Sequence, residues 1–152
     1  MDSAEIKTYL YDHIPLSKAM AVEVTQASAD KVMLHAPLKP NINHRETVFG
    51  GSASALAILA AWTLLYVRLQ QVGISSRVVI QRNTMQYERA IPDDFDAVAM
   101  LADAQTWQRF LNTLKRKQRA RINVTATLFC RGERVGELVG DFVALGMSVP
   151  AT

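Results

Sequence analysis

The residues with the clearest chemical potential lie in a polar loop that ends in two glycines. The loop, residues 40–52, has the sequence PNINHRETVFGGS and places Asn43, His44 and Glu46 close together. A histidine is a suitable general base near neutral pH, and a nearby carboxylate can orient it or act as the base itself. The side chains of Asn43 and Thr47 can position a water molecule or a substrate carbonyl. This composition predicts a site for general base chemistry.

The pair Gly50-Gly51 offers a second kind of chemistry because an apolar segment follows it directly. The first backbone N–H groups of a helix have no partner within the helix and carry a partial positive charge. Glycine has no side chain, so a substrate carbonyl can approach this backbone closely. N–H groups at Gly50, Gly51 or Ser52 can therefore stabilise the oxyanion that forms when an acyl carbonyl is attacked. The simpler alternative is a tight helix entry in which Ser52 is the N-cap or a first-turn residue.

The segment that follows the glycines predicts a buried helix. Residues 53–69 are apolar on nearly all sides, and five of them are alanines that would let neighbouring strands approach closely. A helix that is apolar all round should be surrounded by protein. The segment also contains Ser54, Thr63 and Arg68, and it is shorter than the roughly 20 strongly apolar residues that a membrane span needs. We therefore expect a core helix and no membrane span.

Strand-like segments lie on both sides of this helix and must form its surroundings. Alternating or β-branched patterns predict strands, and two amphipathic segments predict short helices. The predicted strands are 19–27, 31–37, 77–89, 95–102, 121–130 and 135–145, and the short helices are 2–12 and 105–115. One buried helix with several long strands indicates an α+β domain. The 152 residues contain no linker-like stretch, which predicts a single domain over 1–152.

Charge is modest overall but concentrated in one run. The net charge is +3, and five cations crowd between residues 115 and 121. They are Lys115, Arg116, Lys117, Arg119 and Arg121. Such a run is either a solvated face or an anchor for phosphates or for an acidic carrier protein. No nucleic-acid recognition motif accompanies it, so no nucleic acid partner is expected.

The cysteine content and the N-terminus bear on the compartment. Cys130 is the single cysteine, so it cannot form an internal disulfide or share a zinc site with a second thiol. No metal site is predicted. The N-terminal residues MDSAE are acidic and polar, unlike a signal peptide. These features favour a reducing, cytoplasmic location.

The loop and helix together resemble a known family. The motif Asn-x-Asn-His-x-x-Thr-x-Phe-Gly-Gly-Ser, followed by an Ala/Leu-rich helix, is similar to the putative-thioesterase hotdog family. That family occurs as the C-terminal domain of a bacterial acetyltransferase-like protein (the YiiD C-terminal family), and the resemblance covers about residues 5–147. It implies a hotdog fold, in which a long antiparallel sheet wraps around one central helix. It also implies a bacterial homodimer, or a dimer of dimers, with sites at the subunit interface.

The same resemblance implies an activity. The substrates would be thioesters of acyl-CoA or acyl carrier protein, with CoA or phosphopantetheine as part of the substrate and no separate cofactor. Many wider hotdog thioesterases carry an asparagine seven residues before the first glycine, where this sequence has Asn43. They also carry an acid eight residues after that glycine, where this sequence has Ile58, and a histidine where it has Phe49. The usual carboxylate is absent, so His44 or Glu46 would have to supply the base.

These arguments predict a set of site residues. The predicted catalytic residues are Asn43, His44, Glu46, Gly50 and Gly51. The predicted substrate-binding residues are Thr47, Phe49, Ser52, Arg82 and Arg89, the two arginines contacting phosphate or pantetheine from the strand at 77–89.

Three functions remain open on the sequence. The leading prediction is a thioesterase of fatty acid metabolism. The alternative is a non-catalytic acyl-thioester-binding protein, a sensor or accessory subunit, which the absent acid favours. A dehydratase or hydratase needs a histidine paired with an acid, whereas His44 and Glu46 are two residues apart in a loop without the dehydratase helix-start motif.

Overall fold

The computed structural model describes residues 1–148, so the last four residues of the domain predicted over 1–152 lie outside the described range. Four helices and six strands make up the described chain, with a short 3₁₀ turn at Lys39–Asn41. In chain order they are α1 (Ser3–His13), α2 (Pro15–Ala19), β1 (Glu23–Ala27), β2 (Val32–Ala36), α3 (Gly50–Gln71), β3 (Ser75–Tyr87), β4 (Phe95–Met100), α4 (Ala104–Lys117), β5 (Arg119–Cys130) and β6 (Glu133–Ser148).

The six strands form one antiparallel sheet around α3. The strand order is β1-β2-β4-β5-β6-β3, and every neighbouring pair is antiparallel. The main contacts of helix α3 with the sheet are made to β2, β3, β4, β5 and β6. This is the hotdog architecture, and it confirms the α+β fold expected from the sequence.

The burial of α3 follows from its composition. Ala53, Ala57, Ala60 and Ala61 are at most 1% exposed, so the strands pack directly against the helix backbone. The helix is long and apolar enough to cross a membrane by composition, but 61% of its most apolar window is buried inside the protein. Its apolar surface is therefore satisfied by the sheet, as predicted for a core helix.

One predicted strand is wrong over half its length. The segment 19–27 becomes strand only from Glu23, because Pro15 starts the short helix α2, which runs to Ala19. Proline is well suited to the first turn of a helix, where its missing N–H has no partner to lose. A left-handed residue, Ala21 (φ 58°), then turns the chain into β1.

Strand β3 forms one edge of the sheet and is the feature that most affects the site. It is 13 residues long and pairs with β6 on one side. Within residues 1–148 no strand pairs with its other side. Its C-terminal end, at Tyr87, lies against the start of α3.

Candidate active site

The loop before α3 is folded around the side chain of Asn43. The Oδ1 atom of Asn43 accepts hydrogen bonds from the backbone N–H groups of Arg45 (2.8 Å) and Thr47 (3.2 Å). Its Nδ2 atom donates to Thr47 Oγ1 (2.9 Å) and to the Val48 carbonyl (3.4 Å). Both ends of the amide are thus engaged within the loop. In the isolated chain Asn43 shapes the loop, together with Thr47.

A second asparagine, which the sequence analysis did not select, anchors the same loop to the core. Asn41 is 2% exposed, and its Nδ2 atom donates to the carbonyls of Met20 (3.0 Å) and Pro37 (2.8 Å). Its own carbonyl accepts the N–H of Phe49 at 2.7 Å, which sets the residue that caps α3. The Asn-x-Asn spacing was the available signal, since polar side chains that are buried in a loop are normally hydrogen-bonded to backbone.

Helix α3 begins with two backbone donors that are not used by the protein. Phe49 is the N-cap residue, with an extended backbone and no side-chain cap, and Gly50 is the first helical residue. The N–H groups of Ser52 (2.9 Å) and Ala53 (3.0 Å) already bond to the Phe49 carbonyl. Within the described chain, the N–H groups of Gly50 and Gly51 donate no hydrogen bond. Of the three predicted oxyanion donors, only the N–H groups of Gly50 and Gly51 are therefore available to a substrate within the described chain. Ser52 is a first-turn residue of the helix and not its N-cap.

Two exposed aromatic rings frame these donors. Phe49 and Tyr87 are each 57% exposed, and the Tyr87 hydroxyl donates to the Gly50 carbonyl at 3.1 Å. The Phe49 ring lies directly over Gly51, where any Cβ would overlap it. The two free donors and the two exposed rings therefore lie next to each other on the surface of the single chain.

The two candidate bases lie at the rim of this loop. His44 and Glu46 are both exposed, and within residues 1–148 neither side chain makes a hydrogen bond or an ion pair. Glu46 has a left-handed backbone (φ 62°), which reverses the chain direction at the loop tip. The two side chains are not hydrogen-bonded to each other, so the paired acid and histidine of a dehydratase are not assembled here.

An apolar cavity of about 460 Å³ opens beside α3, one turn beyond the glycines. Its helix side is the face formed by Ala55, Ile58, Leu59 and Trp62, which recur at the three- and four-residue spacing of one helix face. The rest of its lining comes from α2 and the segment around it, from β3 and from β6. These residues are Ile14, Leu16, Ser17, Met20, Val78, Val79, Ile80 and Phe142. The cavity therefore lies between α2, α3 and the β3–β6 side of the sheet.

Comparison with known proteins places the chain in a family. A profile of the family described as "Putative thioesterase (yiiD_Cterm)" matches residues 3–146. The chain belongs to this family. The match extends over nearly the whole hotdog domain and includes both the loop and α3.

Solved structures share the fold of this thioesterase family member at low sequence identity. A protein of unknown function from Chlorobaculum tepidum TLS is 27% identical, with a TM-score of 0.89 and coverage of 95% of this chain and 94% of the other. A putative thioesterase from Shewanella oneidensis is 21% identical, with a TM-score of 0.84 and coverage of 94% and 96%. A Pseudomonas aeruginosa protein described as "Probable Thioesterase" is 17% identical, with a TM-score of 0.83 and coverage of 96% and 97%. The last two show the shared fold alone.

The family member has no acid in its central helix. Helix α3 contains neither aspartate nor glutamate along Gly50–Gln71, and the half-buried Ile58 lines the apolar cavity instead. The environment there is apolar, so an ionised carboxylate at this position would be costly to bury. Any base must come from outside the helix.

The predicted arginines take different positions along β3. Arg89 lies just beyond the strand end that contacts the helix start, but its guanidinium pairs with Glu133 at 2.7 Å. Arg82 is exposed and lies five residues before Tyr87, about 16 Å along the strand. Neither side chain lies in the loop with Asn43, His44 and Glu46.

Two further observations concern Cys130 and metal binding in this family member. Cys130 is buried at 4% exposure, and burial raises the pKa of its thiol, which disfavours the nucleophilic thiolate. Among residues 1–148 no three His, Cys, Asp or Glu side chains lie close enough together to hold a metal ion.

Proposed function

We propose that this protein hydrolyses an acyl thioester of CoA or of an acyl carrier protein, with the thioester carbonyl held at the start of α3. The observation that carries the proposal is the pair of unused N–H groups at Gly50 and Gly51 beside an apolar cavity. Backbone donors at a helix start favour the negative charge that develops on the carbonyl oxygen during attack. The family to which the chain belongs supports the reaction class.

The cavity supports an acyl chain as the apolar part of the substrate. Ala55 is five residues beyond Gly50 and Trp62 is twelve, which corresponds to about 7 Å and 18 Å along the helix axis. An acyl tail that leaves the carbonyl at Gly50 can therefore run along this face of α3. The volume of about 460 Å³ is in the usual range for small-molecule sites.

The base is proposed to be His44, with Asn43 and Thr47 shaping the loop that presents it. His44 is exposed and has no hydrogen-bond partner in the described chain, so it is free to contact water at the rim of the site. Glu46 is the second candidate and can act on the same water. Phe49 and Ser52 would contact the substrate next to the glycines, and Arg82 and Arg89 would meet its polar part.

A homodimer is part of the proposal. The free edge of β3 and the apolar gap beside α3 lie on the same side of the molecule, because Val78, Val79 and Ile80 line the cavity. Long free edges are rarely left uncovered, since their backbone groups pair with other chains. Pairing of β3 with β3 of a second copy would cover the edge and close the cavity, and two such dimers can assemble further.

The proposed setting is fatty acid metabolism in a bacterial cytoplasm. The single buried cysteine suits a reducing compartment, and the acyl-sized cavity suits a fatty acyl substrate.

A second candidate is a non-catalytic acyl-thioester-binding protein, acting as a sensor or accessory subunit. The absence of an acid from Gly50–Gln71 favours it, because the helix start and the cavity suffice for binding. Turnover is the property that separates the two candidates.

The test uses a matched pair of substitutions at Gly50. Proline is tolerated as the first helical residue, and Phe49 before it is already extended (ψ 133°), so Gly50→Pro removes one N–H while the helix can still form. Gly50→Ala keeps that N–H, and its Cβ would lie 3.5 Å from the Tyr87 ring, an ordinary contact. Free thiol release from acyl-CoA and acyl carrier protein thioesters of short, medium and long chains is measured for both.

The thioesterase proposal predicts turnover by the unchanged protein and by Gly50→Ala. Loss of one oxyanion donor should lower kcat about 10²- to 10³-fold in Gly50→Pro. A rise in melting temperature with acyl-CoA but no thiol release would support the binding protein instead. No release and no thermal shift with any chain length would refute both.

A further inference from the structure

The basic run at residues 115–121 is not neutralised within the described chain. Among residues 1–148, none of its five cations lies within ion-pair distance of a carboxylate. Three surface arginines are paired, Arg89 with Glu133, Arg131 with Asp93 and Arg134 with Glu88. Other exposed arginines, such as Arg45 and Arg109, have no ion pair in the described residues, so the run differs from them in placing five positive charges close together.

Local structure collects three of the five cations on one surface. Helix α4 ends at Lys117, Gln118 turns the chain with a left-handed backbone (φ 58°), and β5 starts at Arg119. Arg119 and Arg121 are two residues apart on β5, so their side chains emerge on the same face of the strand. Lys115 and Arg116 remain on the exposed side of the helix end.

These three cations line a groove that reaches the edge strand. The groove has a volume of about 500 Å³, and its lining contains no carboxylate. It is formed by Gln81, Thr113, Lys117, Arg119, Ala120, Arg121 and Val143. The acid nearest to the groove along β6 is Asp141, two residues before Val143. Its Oδ1 atom already accepts a hydrogen bond from the side chain of Asn123 at 2.9 Å.

We propose that this groove, the basic groove, binds the phosphate groups of the nucleotide part of CoA. The proposal rests on the proposed function and assigns the nucleotide end of its substrate. Arginine forms paired hydrogen bonds with phosphate oxygens, and Arg119, Arg121 and Lys117 present three positive charges in one concave space. The side-chain amide of Gln81 can donate to the sugar or the base. The Thr113 hydroxyl already donates to the Arg109 carbonyl (2.9 Å), so it can serve there as an acceptor. The groove volume of about 500 Å³ lies in the range of small-molecule sites.

The position of the groove agrees with the position of the helix start. Gln81 is the middle residue of β3, and Tyr87 at the end of the same strand contacts Gly50. Six residues of strand separate them, about 20 Å along β3. Arg119 and Arg121 alternate with the buried Ala120 and Ile122, so their side chains lie on the face of the sheet that points away from α3. The pantetheine arm of CoA would therefore have to pass the edge of β3 to connect the groove with the helix start. Antiparallel pairing of two β3 edges would bring the groove of one copy towards the helix start of the other.

The experiment measures binding of adenosine 3′,5′-bisphosphate by calorimetry at low salt. This probe carries the 3′-phosphate of CoA and the first phosphate of its 5′-diphosphate, and it has no thioester. We expect Arg119→Ala and Arg121→Ala each to raise its Kd about tenfold, the loss expected for a hydrogen bond to a charged group. Arg116→Ala is the matched control, since it removes a charge from the same run outside the groove and should change the Kd less than twofold. All three side chains are exposed, and thermal melts check that the variants fold.

The outcomes separate this site from the proposed function. Absence of bisphosphate binding, or an equal loss in Arg116→Ala, would overturn the basic groove as a nucleotide site. Hydrolysis of an acyl N-acetylcysteamine thioester, which has no phosphate, should be unchanged in Arg119→Ala and Arg121→Ala but impaired in Gly50→Pro. Loss of acyl carrier protein turnover in the arginine variants, with bisphosphate not bound, would assign the surface to a carrier protein and refute the proposal.

Discussion

Asn43 and His44 are neighbours in the chain, yet their side chains have opposite surroundings. Asn43 makes four hydrogen bonds inside the loop, whereas His44 is exposed and makes none within residues 1–148. A side chain whose polar atoms are all engaged is suited to hold a structure, and a free one is suited to exchange protons with water. Asn43 therefore stabilises the loop, and His44 is the residue that we propose as the base.

At the residue scale we predict that His44→Gln lowers the rate of thioester hydrolysis about 10²-fold or more, the usual contribution of a general base. The melting temperature should not change, because the side chain is exposed and unbonded. Steady-state thiol release against acyl-CoA measures the effect. Arg45→Gln, in the same loop and also exposed, is the control and should retain the rate. A retained rate in His44→Gln, together with a loss in Glu46→Gln, would transfer the base to Glu46.

Helix α3 combines two properties that are usually separate. Its first turn offers polar backbone groups at Gly50 and Gly51, and its next turns present an apolar face through Ala55, Ile58 and Trp62. The small side chains on its other faces allow the sheet to hold the helix rigidly, with Ala57, for example, fully buried. A site that is built on a packed helix keeps its donors in place better than a site on a free loop.

At the element scale we predict that Ala55→Leu narrows the cavity and selects against long acyl chains. The ratio of kcat/KM for long-chain to short-chain acyl-CoA should fall about tenfold, the range in which hydrophobic pockets discriminate by size. An acetyl substrate is the internal control, because its two-carbon tail ends before Ala55, which lies about 7 Å from Gly50 along the helix axis. An unchanged ratio would place the acyl tail elsewhere.

The whole molecule has one side that is unlike the rest. The edge of β3, the apolar gap beside α3 and the exposed rings of Phe49 and Tyr87 face outward in the single chain. Edge β1 is short, at five residues, and irregular between Val24 and Gln26, which protects it against pairing. The long edge β3 has no such protection.

At the scale of the whole molecule we predict that the protein is a dimer through β3. Val79→Lys places a charge on that edge, at a position that is 42% exposed. In sedimentation velocity, this variant should contain less dimer and more monomer than the unchanged protein. Val139→Lys, on β6 and 36% exposed, is the matched control away from the edge and should leave the dimer intact. If the unchanged protein sediments as a monomer, the prediction is wrong.

Much of the fold could be predicted from local patterns, and the errors have local causes. The apolar segment 53–69 predicted a buried helix, and a helix is observed at Gly50–Gln71. The helix begins three residues before the apolar segment because the two glycines form part of its first turn. The predicted strand 121–130 is observed as β5, and its alternating burial places Ile122 and Val124 in the core. The start of β1 was misplaced because the short helix α2, begun by Pro15, has too few residues to show a helical period.

The sequence by itself determined that a core helix opens at Gly50-Gly51 behind a polar loop and that no acid lies within it. Those are properties of neighbouring residues, so composition and spacing are enough to establish them. Only the tertiary structure decided that Asn43 supports the loop, that Asn41 anchors it to Met20 and Pro37, and that the cavity opens beside Trp62. These depend on hydrogen bonds and packing between residues far apart in the chain or on the folded path of the loop, which no local pattern encodes. The tertiary structure was also needed to show that the N–H groups of Gly50 and Gly51 donate no hydrogen bond within the described chain, because this depends on where the surrounding acceptors lie.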